Sequence, residues 1–140
     1  MRIEPIEYID WSRRLTRCMN AKQRLAYAIF AADLAVFEFG HRRLAGASLN
    51  AAKLVYGRNS RVNRKRAAEA ADYAFHVGRT VIKTPHFVVG AVYSALALAV
   101  DIHSEDACIM ANNAFVFAEA LERDDLLLKI IRHGMKLLEN

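Results

Sequence analysis

Two prolines and six glycines are all that 140 residues hold of the two strongest turn formers. An all-β protein needs far more of them for its tight reversals, so that class is excluded. Cysteine is as scarce: Cys18 and Cys108 lie far apart, outside any CxxC pair or Cys/His spacing that holds zinc. They read as reduced, partly buried thiols of a cytoplasmic protein, without a disulfide framework. No signal peptide is expected, because Glu4, Glu7 and Asp10 stand where its apolar segment would lie. The longest uncharged run, Thr84 to Val100, falls short of a bilayer span of about twenty residues. A membrane role is therefore not expected. HExxH, the paired ExxH motifs of di-iron bundles and a glycine-rich phosphate loop are all missing, so no metal and no cofactor are expected.

What remains is helix-forming material. Hydrophobic residues make up 54% and charged residues 25%, a globular balance in which Ala, Leu, Arg and Glu lead. The length suits one domain over 1–140. Asn20 with Gln23 reads as a capping box opening a helix that stops near Gly40, and Ser48 opens a shorter helix closed by Gly57. Ser60 caps the next helix, and Thr84-Pro85 starts a fourth that is apolar all round and therefore central. Ser104 caps a fifth helix, and Asp124 or Asp125 a sixth. Ahead of these, residues 1–19 form a lead-in, with Asp10 capping a short helix. The expected fold is all-α. It has six main helices in three stacked antiparallel hairpins, a bundle or short α-solenoid, over about 20–57, 60–102 and 104–138.

Three segments rhyme at about forty residues, the size of one helical hairpin. They are Ala31 to Phe37, Ala70 to Phe75 and Ala111 to Phe117, with Asp33, Asp72 and Asn113 at the matched position. Small residues beside aromatics suit the inner helix of each hairpin. Chance likeness between Ala-rich helices would leave the all-helical expectation intact.

Charge is the other signal. The net value is +5, yet residues 41–80 carry nine Lys/Arg against two acids, while 81–140 carry five against eight. The molecule is expected to be electrically polar. The basic candidates for partner binding are Arg42, Arg43, Arg58, Arg61, Arg64, Lys65 and Arg66. Several fall in the first turn after Ser60, where a helix dipole disfavours cations. A solvated helix start is the plain reading, and an anion-binding surface the functional one. His103 sits near Asp101 and Glu105 at two-residue steps that suit a helix end better than a metal. Asp33, Glu38 and Asp72 would form an acid/base group only if the hairpins stacked in register, with Arg24 or Arg79 as the simpler partners.

Arg24-Leu25-Ala26, Phe37-Glu38 and Leu49 to Lys53 closing at Gly57 form a further pattern, continued by Ala67 to Ala71 and Gly90 to Ala95. On these stretches the chain resembles helical bacterial immunity-type proteins, the putative immunity class, over about residues 20–118. The resemblance implies a protein that binds another protein and blocks it. The first expectation is therefore a non-enzymatic binding module, an inhibitor, immunity-type or phage accessory factor, that meets an acidic protein through its basic face. The alternative is nucleic-acid binding through phosphate contacts from the same region. A homodimer is also expected, through Ile3, Ile6, Tyr8 and Trp11 or through the last helix.

Overall fold

The structure is a computed structural model that describes residues 5–39, 47–80 and 86–139. Every described element is a helix: α1 (Pro5–Cys18), α2 (Ala21–Phe39), α3 (Ala47–Gly57), α4 (Arg61–Thr80), α5 (His86–Val100), α6 (Ala107–Glu119) and α7 (Asp124–Glu139). None is long and apolar enough to cross a membrane.

Local chemistry sets most of these boundaries. Asn20 and Gln23 close a reciprocal capping box, each backbone N–H donating to the other's side-chain oxygen at 2.9 and 2.8 Å. Ser60 Oγ accepts the N–H of Asn63 at 3.1 Å and so caps α4. Other expected caps work differently. Helix α1 already runs from Pro5, so Asp10 lies in its interior and pairs with Arg14 one turn on at 2.9 Å. Ser104 Oγ accepts from the N–H of Asp106, which shapes the turn before α6, and Asp106 takes the N-cap position without a side-chain bond. Helix α7 begins at Asp124, so both aspartates sit in its first turn, where they complement the dipole. The Thr84-Pro85 start falls outside the described residues.

The core is a triangle of α2, α5 and α6, each packed against the other two. Its contact faces are rows of alanine: Ala28, Ala31, Ala32 and Ala35 on α2, Ala91, Ala95 and Ala99 on α5, and Ala107, Ala111, Ala114 and Ala118 on α6, all buried. Steps of three and four residues keep each row on one face. Small side chains let the axes come close. Leu25, Tyr27, Val88, Val92, Leu96, Leu98 and Phe115 fill the remaining volume. As expected of a helix without charge, α5 is central and buries residues on nearly every side.

Helices α3 and α4 cover one flank of this triangle, packing on each other and on α5. Helices α1 and α7 cover another. Helix α7 lays Leu126, Leu127, Ile130 and Ile131 against α1 and α2, and α6 is its lightest neighbour. Chain order places α7 beside α6, but the alanine face of α6 is already taken by α2 and α5, and α1 packs on it as well. The forty-residue rhyme divides likewise. Its segments on α2 and α6 are inner, whereas α4 buries only Ala67 and Ala71 among its described side chains and is an outer helix. The matched Asp33, Asp72 and Asn113 lie on solvent-facing sides, half-buried or exposed.

Long-range polar contacts fix directions. Gln23, at the start of α2, donates to the carbonyl of Leu137 at 2.7 Å. Glu38, near the end of α2, bonds Arg123 just before α7. Helix α7 therefore runs antiparallel to α2, with His133 stacked on Phe30 midway, ring centroids 4.0 Å apart. Lys53 reaches Asp33 at 2.9 Å, and Tyr56, one turn on, lies under the ammonium of Lys22. Helix α3 therefore also runs antiparallel to α2. Tyr27 donates to Ser12 Oγ at 2.8 Å, and burial pushes its phenol well above the usual range.

Candidate functional site

The basic segment folds into a braced platform where α3 ends and α4 begins. The N–H of Arg58 still bonds the carbonyl of Leu54 at 2.9 Å, carrying α3 into the turn. Asn63, in the first turn of α4, donates its amide to the carbonyls of Leu54 and Arg58 at 3.2 and 2.9 Å. Arg64 donates to Asn59 Oδ1 at 2.8 Å and to its carbonyl at 3.3 Å. The first turn of α4 thus grips the turn before it, and the backbone here has little freedom left to lose on binding.

Arg58, Arg61, Lys65 and Arg66 are exposed on this platform. Among the described residues no carboxylate forms an ion pair with any of them. Arg61 and Lys65 stand one above the other at i, i+4, while Arg66 falls round the helix from them. The first turn of α4 holds no acid, so each cation there opposes the dipole by about 0.3–1 kcal/mol. Of the residues read from sequence, Arg64 is a brace rather than a free cation. Arg42 and Arg43 lie outside the described residues.

Sequence spacing missed two contributors. Lys22 joins this end from the first turn of α2, its Nζ 5.0 Å from the centre of the Tyr56 ring. Only the antiparallel course of α3 along α2 brings these two together. The second contributor is apolar. Leu54, Tyr56 and Val62 are 46%, 40% and 60% exposed, so large hydrophobic side chains share this end with the cations. Arginine mixed with tyrosine and aliphatic residues marks surfaces that bury protein partners.

The other candidates do not assemble. Asp33 bonds Lys53, Glu38 bonds Arg123, and Asp72 is exposed, so among the described residues nothing joins the three. Arg24 donates instead to the carbonyl of Thr16 at 2.8 Å, and the side chain of Arg79 is outside the described set. The N–H of His103 bonds Asp101 Oδ1 in the α5–α6 turn, and no group of metal-ligating side chains forms among the described residues. Both cysteines are free; Cys18 is exposed rather than buried, and Cys108 is half-buried with its thiol on the Thr16 carbonyl at 3.4 Å. Of the expected dimer anchors, Tyr8 is used by the core and Trp11 is exposed, while the side chains of Ile3 and Ile6 fall outside the described residues.

Among the described residues, the fold and this surface define a bundle of seven helices with a braced cationic end. No protein-family model, curated protein or solved structure matches the chain.

Proposed function

We propose that this chain is a non-enzymatic protein-binding module, of the inhibitor, immunity-type or phage-accessory kind, working in the cytoplasm. Its basic end grips an acidic protein. Arg58, Arg61, Lys65 and Arg66 carry the charge, Lys22 and Tyr56 extend the surface, and Arg42 and Arg43 belong to the same basic stretch of sequence. One observation carries the reading: four exposed cations, without ion pairs among the described residues, stand on a turn held by Ser60, Asn63 and Arg64. A rigid cationic surface accelerates encounter with an acidic partner and rejects basic ones. Exposed Leu54, Tyr56 and Val62 favour a protein over a nucleic acid, whose backbone offers phosphates and few apolar groups.

The test is affinity capture from the native host, with and without nuclease, read by mass spectrometry. The variant Arg61→Glu with Lys65→Glu is compared with the natural chain; it spares the Arg64 brace. The natural chain is expected to retain an acidic protein after nuclease, and the variant to lose it at least about tenfold with unchanged helical circular dichroism. Equal retention by both proteins contradicts the site. Retention that vanishes with nuclease, and gel shifts that weaken steeply with salt, would transfer the surface to phosphate binding.

A further inference from the structure

Among the described residues, acidic side chains gather where α6 ends and α7 begins, at the far end of α2 from the basic platform. Between α6 and α7 runs an open groove of about 570 Å³, lined by Val116, Glu119, Ala120, Glu122, Asp124 and Leu127. Among the described residues no cation pairs with Glu119, Glu122 or Asp124. The nearby Arg123 is committed to Glu38 and Asp125. Glu122 has φ 54°, a left-handed conformation that glycine adopts without strain and that costs another residue about 1–2 kcal/mol. The turn tolerates that strain with an acid in place. Burial also holds the carboxyl of Glu119 above its ordinary range, which a neighbouring cation would reverse.

The two unpaired ends cannot neutralise each other within one chain. Lys22 marks one end of α2 and Glu38 the other, and at 1.5 Å per residue the sixteen steps between them span about 24 Å. That is some three times the screening length of about 8 Å at physiological salt. Both ends also offer apolar surface beside their charge: Leu54, Tyr56 and Val62 at one, Val116 and Ala120 at the other.

We propose that the chain associates head to tail with further copies of itself, the basic α3–α4 end of one copy seated in the acidic α6–α7 groove of the next. In the head-to-tail arrangement proposed, two different surfaces meet, so the contact is heterologous and leaves one free end on each side for the next copy. The inference uses the basic end identified above but adds a second surface, and a foreign acidic partner would compete for the first. Assembly then grows with concentration, shrinks with salt and is capped by that partner.

Sedimentation velocity over a concentration series tests this, with two variants. Arg61→Glu with Lys65→Glu blocks the basic end, and Glu122→Gln with Asp124→Asn removes the groove's charge at exposed positions, leaving nothing there for the reversed basic end to attract. The natural chain is expected to form a ladder of species at low salt and to revert to monomer at high salt. Each variant alone is expected to be monomeric, and an equimolar mixture to form a one-to-one dimer and nothing larger, because each still offers one working end. Circular dichroism and thermal melts confirm that both variants fold; should the groove variant fail to, Glu122→Gln alone takes its place. A natural chain that stays monomeric at low salt, a closed dimer indifferent to the groove variant, or a mixture that does not pair overturns the proposal. If self-association fails while an acidic host protein is still captured, the inference falls and the binding-module reading stands. If the basic-end variant alters neither, both fall.

Discussion

Two helical glycines separate a packing constraint from a tolerated gap. A Cβ added at Gly134 of α7 would lie 2.8 Å from the Tyr27 ring and 3.1 Å from Leu15. Tyr27 is fully buried and tied to Ser12, so it cannot yield. Added at Gly90 of α5, the Cβ would lie 2.5 Å from the Phe117 ring, which is partly exposed and can swing toward solvent. Alanine favours helix over glycine by about 1 kcal/mol at either place. Overpacking a rigid core costs about 1–3 kcal/mol. Denaturant melts of Gly134→Ala are therefore expected to show a net loss of up to about 2 kcal/mol, and those of Gly90→Ala little change. The reverse order would mean that Tyr27 is not the fixed element described. Neither site could be singled out from sequence, since a glycine within an apolar helical pattern gives no sign of which ring lies over it. The Oδ1 of Asn112 is equally silent in sequence: it is buried between α1 and α6, without a hydrogen-bond partner among the described residues.

Among the elements, α7 shows where sequence reading works and where it stops. Its apolar positions at helical spacing give the helix and hold; the aspartates expected to cap it mark its start but lie inside its first turn. Its neighbours do not follow from chain order, because which face of α6 is already occupied depends on α2 and α5. The α2–α7 contact also carries a titratable group. His133 stacks on Phe30, and its pKa is held below the ordinary value by burial first and the Lys136 charge second. A histidine with a lowered folded pKa takes its proton more readily in the unfolded chain. Stability is then complete above its ordinary pKa of about 6.5 and falls as pH drops below it. Thermal melts between about pH 7 and pH 5 are expected to show that fall, and His133→Phe to flatten it. An unchanged slope in that variant would place the pH dependence elsewhere.

For the whole molecule, composition was the most informative reading. Scarce glycine and proline, an uncharged central segment and capping residues at Asn20 and Ser60 made an all-helical chain readable, with α5 at its centre. The Ala/Asp/aromatic rhyme marked true helices but overstated their equivalence, because α4 is outer while α2 and α6 are inner. The lopsided charge was readable too, since a net balance over a stretch needs no knowledge of contacts. Where the charge sits was not. The cation over Tyr56, the brace at Arg64 and the exposure of Leu54 and Val62 all depend on how α3 lies along α2. The surface proposed for partners is thus half a sequence property and half a product of packing.

The central claim is that the basic end selects acidic protein. Panning the folded chain against a random peptide library displayed on phage tests it most directly, with the Arg61→Glu, Lys65→Glu variant as counter-target. Enrichment of peptides rich in Asp and Glu that carry an apolar residue, and their loss on the variant, is the predicted result. Enriched peptides without acidic bias, or acidic peptides that bind the variant equally well, would contradict it.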